Sequence, residues 1–175
     1  MDKILILYKS KYGATEKYAC MLKEILECEI LKTEHYNKAV LDYYDCIVFA
    51  GGIYASGISG LEVLRKHYTD IKHKKLAVLC VGASPFDEKA IDILRQHNLK
   101  DTLKEIPLFY ARGAWDESAM TFKDRTLCRL LQKAIAKKDP AGYEPWMTAL
   151  MSAVGQKCDW TDRVYLEPLI NYLQQ

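Results

Sequence analysis

Short apolar runs alternate with longer helix-like stretches through the first two thirds of the chain. The apolar runs occupy residues 3–8, 28–32, 46–50, 75–81 and 106–111. Helical periodicity covers residues 15–27, 58–72 and 87–97 between them. Apolar strands that alternate with helices are typical of a parallel sheet covered on both faces. The pattern therefore predicts an α/β fold with a doubly wound, five-stranded parallel sheet.

The final third of the chain does not follow this alternation. It contains a helical stretch at 122–137, the segments DPAGYEPW and MTALMSAVG, and a last helix predicted at 161–173. A minimal five-strand domain passes from its last strand to its last helix within a few residues, so roughly 45 residues are extra. We interpret residues 1–175 as one domain with an insertion at about 113–160.

Composition excludes several classes of protein. The chain has 175 residues, enough for one substantial core, and a net charge of only +2. With no basic tract interleaved with aromatic residues, the sequence does not favour nucleic acid as a partner. The six cysteines form no CxxC pair, so we predict no metal site. Neither a signal peptide nor a membrane-spanning run is apparent, and we expect a cytoplasmic protein.

Three loops rich in small and polar residues follow predicted strands one, three and four. They are SKYGAT at residues 10–15, GGIYASG at 51–57 and GASPFD at 82–87. Ligands of open parallel sheets bind at the carboxyl ends of the strands, where the winding direction reverses. These loops are therefore the expected ligand site.

The first loop has the residues that a phosphate site requires. The helix after it offers unpaired N–H groups and a partial positive charge to an anion. Ser10 and Thr15 add hydroxyl donors, and Gly13 allows the backbone to close around the oxygens. The alternative is that Thr15 only caps the helix. Other nucleotide motifs do not match: the chain lacks both GxxxxGK[ST] and a GxGxxG in this loop.

The segment Ser10-Lys11-Tyr12-Gly13-Ala14-Thr15 resembles the phosphate loop of flavodoxins, T/S-x-T/S-G-x-T. The resemblance extends over residues 1–112 and the last helix, and flavodoxins obey the same switch-point rule with FMN as ligand. It implies a flavodoxin-like sheet with strand order 2-1-3-4-5, helices on both faces and FMN as cofactor. The cofactor-binding residues that it implies are Ser10, Lys11, Tyr12, Gly13, Ala14, Thr15, Gly52, Ile53, Tyr54, Ala55, Gly57, Ala83, Ser84, Pro85 and Phe86.

Two aromatic positions need a separate interpretation. Tyr12 stands where many flavodoxins have a small hydroxyl residue, and its phenol is too long to cup a phosphate. Tyr54 is the candidate for stacking on the isoalloxazine ring. Ser84, Pro85 and Phe86 form the opposite wall, although Phe86 also suits a hydrophobic staple for the next helix. FMN supplies the chemistry, so no catalytic residue is assigned.

The insertion resembles that of one flavodoxin-like subfamily, the menaquinone-dependent protoporphyrinogen IX dehydrogenases. Their insertion also precedes the last helix, and an Asp-Trp pair occurs there, as in Cys158-Asp159-Trp160. This resemblance implies an FMN-dependent oxidoreductase acting on protoporphyrinogen or a quinone-like acceptor. The alternatives are an electron carrier between protein partners and a phosphate-binding module without enzymatic activity. Electron-carrier flavodoxins are strongly acidic whereas this chain is slightly basic, which disfavours the carrier.

The insertion also suggests contact with a membrane surface. We predict a basic flank of Arg125, Arg129, Lys133 and Lys137 and an apolar flank of Trp146, Met147, Leu150 and Met151. Such an amphipathic unit suits peripheral contact with anionic lipid. The alternative is that its tryptophans and methionines close the core of the domain itself. The oligomeric state does not follow from these patterns.

Overall fold

The computed structural model describes residues 3–175, which form an α/β structure with two short additional strands in the insertion. In chain order the elements are β1 (Ile4–Lys9), α1 (Ala14–Leu26), β2 (Glu29–Lys32), α2 (Lys38–Tyr43), β3 (Cys46–Tyr54), β4 (Gly57–Ile58), α3 (Leu61–Ile71), β5 (Lys75–Gly82), α4 (Glu88–Asn98), β6 (Leu108–Arg112), β7 (Ala114–Asp116), α5 (Phe122–Ile135), α6 (Pro145–Ser152), β8 (Lys157–Asp159) and α7 (Glu167–Leu173). Every predicted strand and helix of the first 112 residues is present, with changes at the ends of some elements.

The five long strands form a parallel sheet in the order β2-β1-β3-β5-β6. Numbered along the chain, these parallel strands have the predicted order 2-1-3-4-5, so the fold class is confirmed. In the register of the sheet, Leu7 pairs with Leu31 on one side and with Phe49 on the other. The winding direction reverses beside β1, because β2 and β3 lie on opposite sides of it.

Alternate residues of the central strands bury opposite faces of the sheet. Leu5, Ile47 and Val78 belong to a core cluster that includes residues of α2, α3 and α4. Ile6 and Val48 belong to a second cluster that includes residues of α1 and α7. Burial of each large aliphatic side chain contributes about 1.5–3 kcal/mol. Helices therefore cover both faces, as the continuous apolar strands predicted.

Strand β3 is longer than predicted, and this changes the second loop. Gly51 and Gly52 pair with Cys80 and Val81 of β5, so they continue the sheet. Ile53 then pairs in antiparallel orientation with Ile58 of β4. The expectation of a loop over residues 51–57 is therefore wrong for residues 51–54 and for Gly57, and the turn is confined to Ala55 and Ser56. Because β4 uses residue 58, α3 begins later than predicted, at Leu61.

The last helix also begins later than predicted. A 3-10 turn at Arg163–Leu166 comes first, and the α-helix begins at Glu167. The carboxylate of Asp162 accepts the backbone N–H of Val164 at 3.0 Å. This cap fixes the start of the turn, which excludes residues 161–162 from the helix.

The insertion forms its own small packed unit. Trp115 of β7 pairs with Cys158 of β8, and α5 contacts α6. Met147 of α6 is only 6% exposed, and Ala149 of the same helix is also buried. The prediction that Met147 belongs to an exposed apolar flank is therefore wrong, and the alternative of core packing holds for this residue. The other predicted members of that flank, Trp146, Leu150 and Met151, are partly buried.

The exposed apolar and basic side chains of the insertion lie mainly on α5. Its large exposed apolar residues are Phe122, Leu127, Leu130 and Leu131. Arg125 does not belong to the basic flank, since its guanidinium donates to the carbonyl oxygens of Glu117, Ser118 and Met120. The basic side chains left exposed in this part of the chain are Lys123, Arg129 and Lys133 of α5, and Lys137 and Lys138 just after it.

The described residues give no indication of a metal site. No group of three or more His, Cys, Asp or Glu among residues 3–175 could hold a metal ion. Burial raises the pKa of the Cys28 thiol to about 11 and that of the Cys80 thiol to about 12. Both thiols are therefore protonated at neutral pH and pack as small apolar groups. No helix within residues 3–175 has both the length and the apolar character that crossing a membrane requires.

We predict that Gly51→Ala strongly destabilises the fold. A Cβ at this position would lie 1.8 Å from the carbonyl oxygen of Ser59, so the backbone of β3 or that of residue 59 would have to move. The expected loss is about 1–3 kcal/mol in the free energy of unfolding, measured by urea denaturation. Gly142→Ala is the control, because a Cβ there meets no atom within 4 Å. Equal stabilities of the two variants would contradict this account of the β3–β4 contact.

Candidate functional site

The three predicted loops lie together at the carboxyl edge of the sheet. The first follows β1, the second contains the end of β3 and its turn, and the third starts with the last residue of β5; these three strands are neighbours in the sheet. The ring centroids of Tyr12 and Tyr54 are 6.4 Å apart, so the first two loops are in contact. A Cβ added to Gly82 would lie 3.0 Å from the Ile53 side chain, which places the third loop against the second. The structure thus brings the predicted site residues into one region.

The first loop leads into the N-terminus of α1, which has no side-chain cap. Gly13 is the N-cap residue, with φ of 95°, and no side chain caps the helix. The alternative, that Thr15 only caps the helix, is therefore wrong. The Ser10 hydroxyl accepts the N–H of Gly13 at 3.1 Å, and Thr15 is buried in the first turn. Ser10 and Thr15 flank Gly13 at the leading N–H groups of α1, and these residue types form a donor set suited to a phosphate.

The acidic residue of the first turn is turned away from this donor set. The Glu16 carboxylate accepts the Tyr8 hydroxyl at 2.8 Å and lies 3.0 Å from the Lys32 ammonium. Both contacts lower the pKa of the Glu16 carboxyl, and the contact with Lys32 has the larger effect. The carboxylate is therefore ionised at neutral pH and held by partners on β1 and β2. It does not compete with an anion for the N–H groups of α1.

Lys11 and Tyr12 connect the first loop to the insertion. Both the Lys11 ammonium and the Tyr12 hydroxyl donate to the Asp124 carboxylate at the start of α5. The Tyr12 hydroxyl also accepts the N–H of Thr121 at 3.2 Å. We call this group of four residues the α5 latch. The hydrogen bond from Lys11, and then that from Tyr12, lowers the pKa of Asp124.

Tyr54 forms an aromatic surface beside the first loop. Its side chain is 39% exposed, and its ring covers Gly52, since a Cβ there would lie 2.8 Å from the ring. Partial burial is the main cause of the raised pKa of its phenol. The ring therefore stays neutral and offers a face and an edge for contact with a planar ligand.

The third loop is held by strand β6. The Tyr110 hydroxyl donates to the Ser84 carbonyl oxygen, and the Arg112 Nε donates to the Ala83 carbonyl oxygen at 3.0 Å. Phe86 is 61% exposed and its ring centroid lies 6.1 Å from that of Tyr110. The loop therefore has a fixed backbone and an exposed aromatic side chain at its rim.

Arg112 is a residue of the site that the sequence patterns did not single out. Besides its bond to the third loop, its guanidinium lies 4.0 Å from the centre of the Trp160 ring. The backbone N–H of Trp160 donates to the Gly113 carbonyl oxygen at 3.0 Å, and the N–H of Gly113 donates to Gly82 at 2.7 Å. The signal available in the sequence was the position of Arg112 at the end of the fifth predicted strand, beside the other loops.

The insertion also contacts α1 at the site. The Lys17 ammonium lies 2.7 Å from the Asp159 carboxylate, and this contact is the main reason why the pKa of Asp159 falls to about 2. Asp159 also accepts the hydroxyl of Thr161 at 2.6 Å. The Asp-Trp pair of the sequence therefore ties the strand β8 to the helix that follows the phosphate loop.

This combination defines a class of protein: a doubly wound α/β domain with a first loop suited to an anion and aromatic neighbours at the switch point. Residues 5–141 match the family model described as Flavodoxin domain. The chain belongs to the flavodoxin domain family. This assignment confirms the flavodoxin-like fold and supports FMN as the cofactor.

Several solved structures are distantly similar to the chain. The chain is similar to a flavodoxin, WrbA-like protein from Agrobacterium tumefaciens, with 20% identity over 90% of this chain and 100% of that chain and a TM-score of 0.45. Oxidised Flavodoxin 1 from Bacillus cereus has 16% identity over 78% and 99%, with a TM-score of 0.42. The FMN-bound flavodoxin of Fusobacterium nucleatum has 14% identity over 65% and 71%, with a TM-score of 0.43. The comparison with curated proteins gave no match.

We predict that Asp124→Asn removes a pH-dependent contribution to stability. Because the folded pKa of Asp124 is lowered, its contacts stabilise the fold above the unfolded value of about 3.9, and this is lost as pH falls through the folded pKa. Near pH 7 the variant should be less stable by about 1 kcal/mol in urea denaturation, and the difference should vanish in acid.

Tyr12→Phe is the matched control for this experiment. It removes the hydroxyl bond but leaves the ion pair of Lys11 with Asp124, so part of the pH dependence should remain. A difference between the native chain and Asp124→Asn that does not change with pH would contradict a charged latch.

Proposed function

We propose that this chain is an FMN-dependent oxidoreductase that acts on a lipid-borne, apolar substrate such as a quinone or protoporphyrinogen. Bound FMN supplies one- or two-electron transfer. The protein holds the phosphate on the first loop and places the ring between the second and third loops. The proposal has two parts, the binding of FMN and the contact with a lipid surface.

The first part rests on the phosphate loop. Backbone N–H groups at the start of α1 and the hydroxyls of Ser10 and Thr15 fit the phosphate of FMN. Gly13 has φ of 95°, a conformation that a side chain would strain. Tyr54 and Phe86 supply aromatic contacts on the neighbouring loops. These residues bind and orient the cofactor, and none needs to act as a nucleophile.

The second part rests on one observation: the helix that carries the exposed apolar residues, α5, is bonded at its start to the first loop. Phe122 is 85% exposed and Leu130 is 59% exposed, and both belong to the helix that the α5 latch joins to Lys11 and Tyr12. The basic side chains Lys123, Arg129, Lys133 and Lys137 accompany them. An amphipathic helix of this composition suits the surface of an anionic bilayer, where quinones and porphyrinogens are accessible.

An electron carrier is the second candidate. Tyr54 of the second loop and Phe86 of the third loop are both exposed. A flavin bound between them would therefore have an edge accessible to a protein partner. The slight positive net charge of +2 favours the oxidoreductase, because acidic surfaces steer carriers to basic partners. Activity towards a quinone in the presence of lipid distinguishes the two candidates.

We predict that the double variant Ser10→Ala, Thr15→Ala binds FMN more weakly. Each hydroxyl bond to the charged phosphate contributes about 1–3 kcal/mol, so affinity should fall by at least tenfold in a fluorescence-quenching titration. Thr148→Ala is the control, since this hydroxyl lies on α6 and contacts only the Glu144 carbonyl oxygen, at 3.5 Å. Full affinity in the double variant would contradict the assignment of the phosphate loop.

We also predict that Leu127→Gln together with Leu130→Gln abolishes binding to vesicles of mixed phosphatidylglycerol and phosphatidylcholine. The apolar area of α5 would be lost while its charge is unchanged. Binding of the native chain should weaken with added salt, because the basic side chains contribute through screened attraction. Quinone reduction in lipid should fall, whereas reduction of a water-soluble dye should not.

Ile93→Gln is the matched control for the vesicle experiment. This residue is a similarly exposed aliphatic side chain, 64% exposed, on α4 rather than α5. It should leave both vesicle binding and quinone reduction unchanged. If both variants behave like the native chain, the contact with lipid is contradicted and the electron carrier becomes the better account.

A further inference from the structure

A buried asparagine at the end of α4 holds the turn between β3 and β4. The amide nitrogen of Asn98 donates to the carbonyl oxygens of Ser56 at 2.8 Å and Leu94 at 2.9 Å. Its amide oxygen accepts the backbone N–H of Ile58 at 3.0 Å. Asn98 is only 3% exposed. The burial of its polar amide is possible because each of these backbone groups is a hydrogen-bond partner for it. The bond to Leu94 fixes the orientation in which it reaches the turn.

The turn that it holds has an unfavourable backbone conformation. Ala55 and Ser56 have φ of 47° and 64°, so two consecutive residues with side chains lie in the left-handed region. Two-residue turns with positive φ at both positions prefer Asn-Gly, since other residues meet steric strain there. Asn98 binds Ser56 within the turn and Ile58 just after it. External bonds on both sides can hold a conformation that the local sequence disfavours.

The turn determines where Tyr54 lies. Tyr54 immediately precedes Ala55, and its backbone pairs with Gly57 across the hairpin. Its ring lies over Gly52 and beside Tyr12 of the first loop. A different turn would change the direction of this strand end and with it the position of the ring.

We propose that Asn98 is a positioning residue that holds the strained turn and thereby orients Tyr54 in the flavin site. Asn98 itself contacts only protein groups, so its effect on a ligand passes through the turn. The consequence for flavin rests on the proposed binding of FMN, whereas the effect on the turn does not.

Asn98→Ala tests this role in the free protein and in the FMN complex. In the free protein, hydrogen exchange of the Ile58 amide should accelerate by about tenfold or more, because its acceptor is removed. In the complex, the dissociation constant for FMN should rise by about three- to tenfold, the range expected for an indirect loss of a few hydrogen bonds. The ratio of affinities for oxidised and reduced FMN should also change, as measured by a reductive titration.

A rescue variant separates positioning from a general loss of stability. Ala55→Asn with Ser56→Gly gives the turn the residues that prefer its conformation. Added to Asn98→Ala, these changes should restore the affinity for FMN and the ratio between its oxidised and reduced forms, although the Ile58 amide still lacks its acceptor. If Asn98→Ala alone does not fold, recovery of a folded, FMN-binding protein in the triple variant supports the proposal.

Asn37→Ala is the matched control. Asn37 also accepts a backbone N–H, that of Val40 at 3.0 Å, but it caps α2 rather than the turn. This variant should lose stability without a change in FMN affinity or in exchange at Ile58. An effect on FMN equal to that of Asn98→Ala would overturn the proposal.

Two further results would also overturn it: unchanged exchange at Ile58 in Asn98→Ala, or a triple variant that folds but does not recover FMN affinity. A triple variant that fails to fold would do the same. If the native chain does not bind FMN at all, the proposed function fails, and exchange at Ile58 still decides whether Asn98 holds the turn.

Discussion

The parallel pairing of β1 with β3 and of β3 with β5 is the constraint on which the candidate site depends. Parallel strands place their carboxyl ends at the same edge of the sheet, so the residues after these strands must lie together. Because the winding direction reverses beside β1, no crossover connection covers the loop that follows this strand. Gly51 has room for no side chain because residues 58–59 pass so close to it. The sheet thus positions a phosphate loop, an aromatic hairpin and a third loop within contact of one another.

The insertion contacts this edge of the sheet at three points. The α5 latch joins it to the first loop, Asp159 joins it to α1, and Trp160 packs on Arg112. These contacts place the start of α5, where the exposed Phe122 lies, beside the candidate flavin site. A helix in that position gives the proposed oxidoreductase a physical route to an apolar substrate, which a flavodoxin sheet without an insertion does not offer.

The sequence predicted the parts of the structure that periodicity determines. The apolar runs predicted all five parallel strands, most clearly β1, β3 and β5, which are buried on both faces. The order of the strands was predicted by the resemblance. The ends of elements were less accessible, since Gly51 and Gly52 are compatible with a loop and become strand only through pairing with β5. Arg112 and Asn98 carry no local motif, and the bonds that give them their roles join residues 29 or more positions apart. Two members of the predicted flanks of the insertion were misjudged, because the burial of Met147 and the bonds of Arg125 to backbone carbonyl oxygens arise only in the folded chain.

A comparison of FMN with riboflavin tests the central claim most directly. The two ligands share the ring and differ in the phosphate, so their difference in affinity isolates the first loop at the start of α1. Calorimetric titration of the flavin-free protein should give one FMN per chain and an affinity for riboflavin weaker by about a hundredfold, as expected when several charge-assisted hydrogen bonds are lost. Equal affinities for the two ligands, or binding of neither, would contradict an FMN site built on this loop.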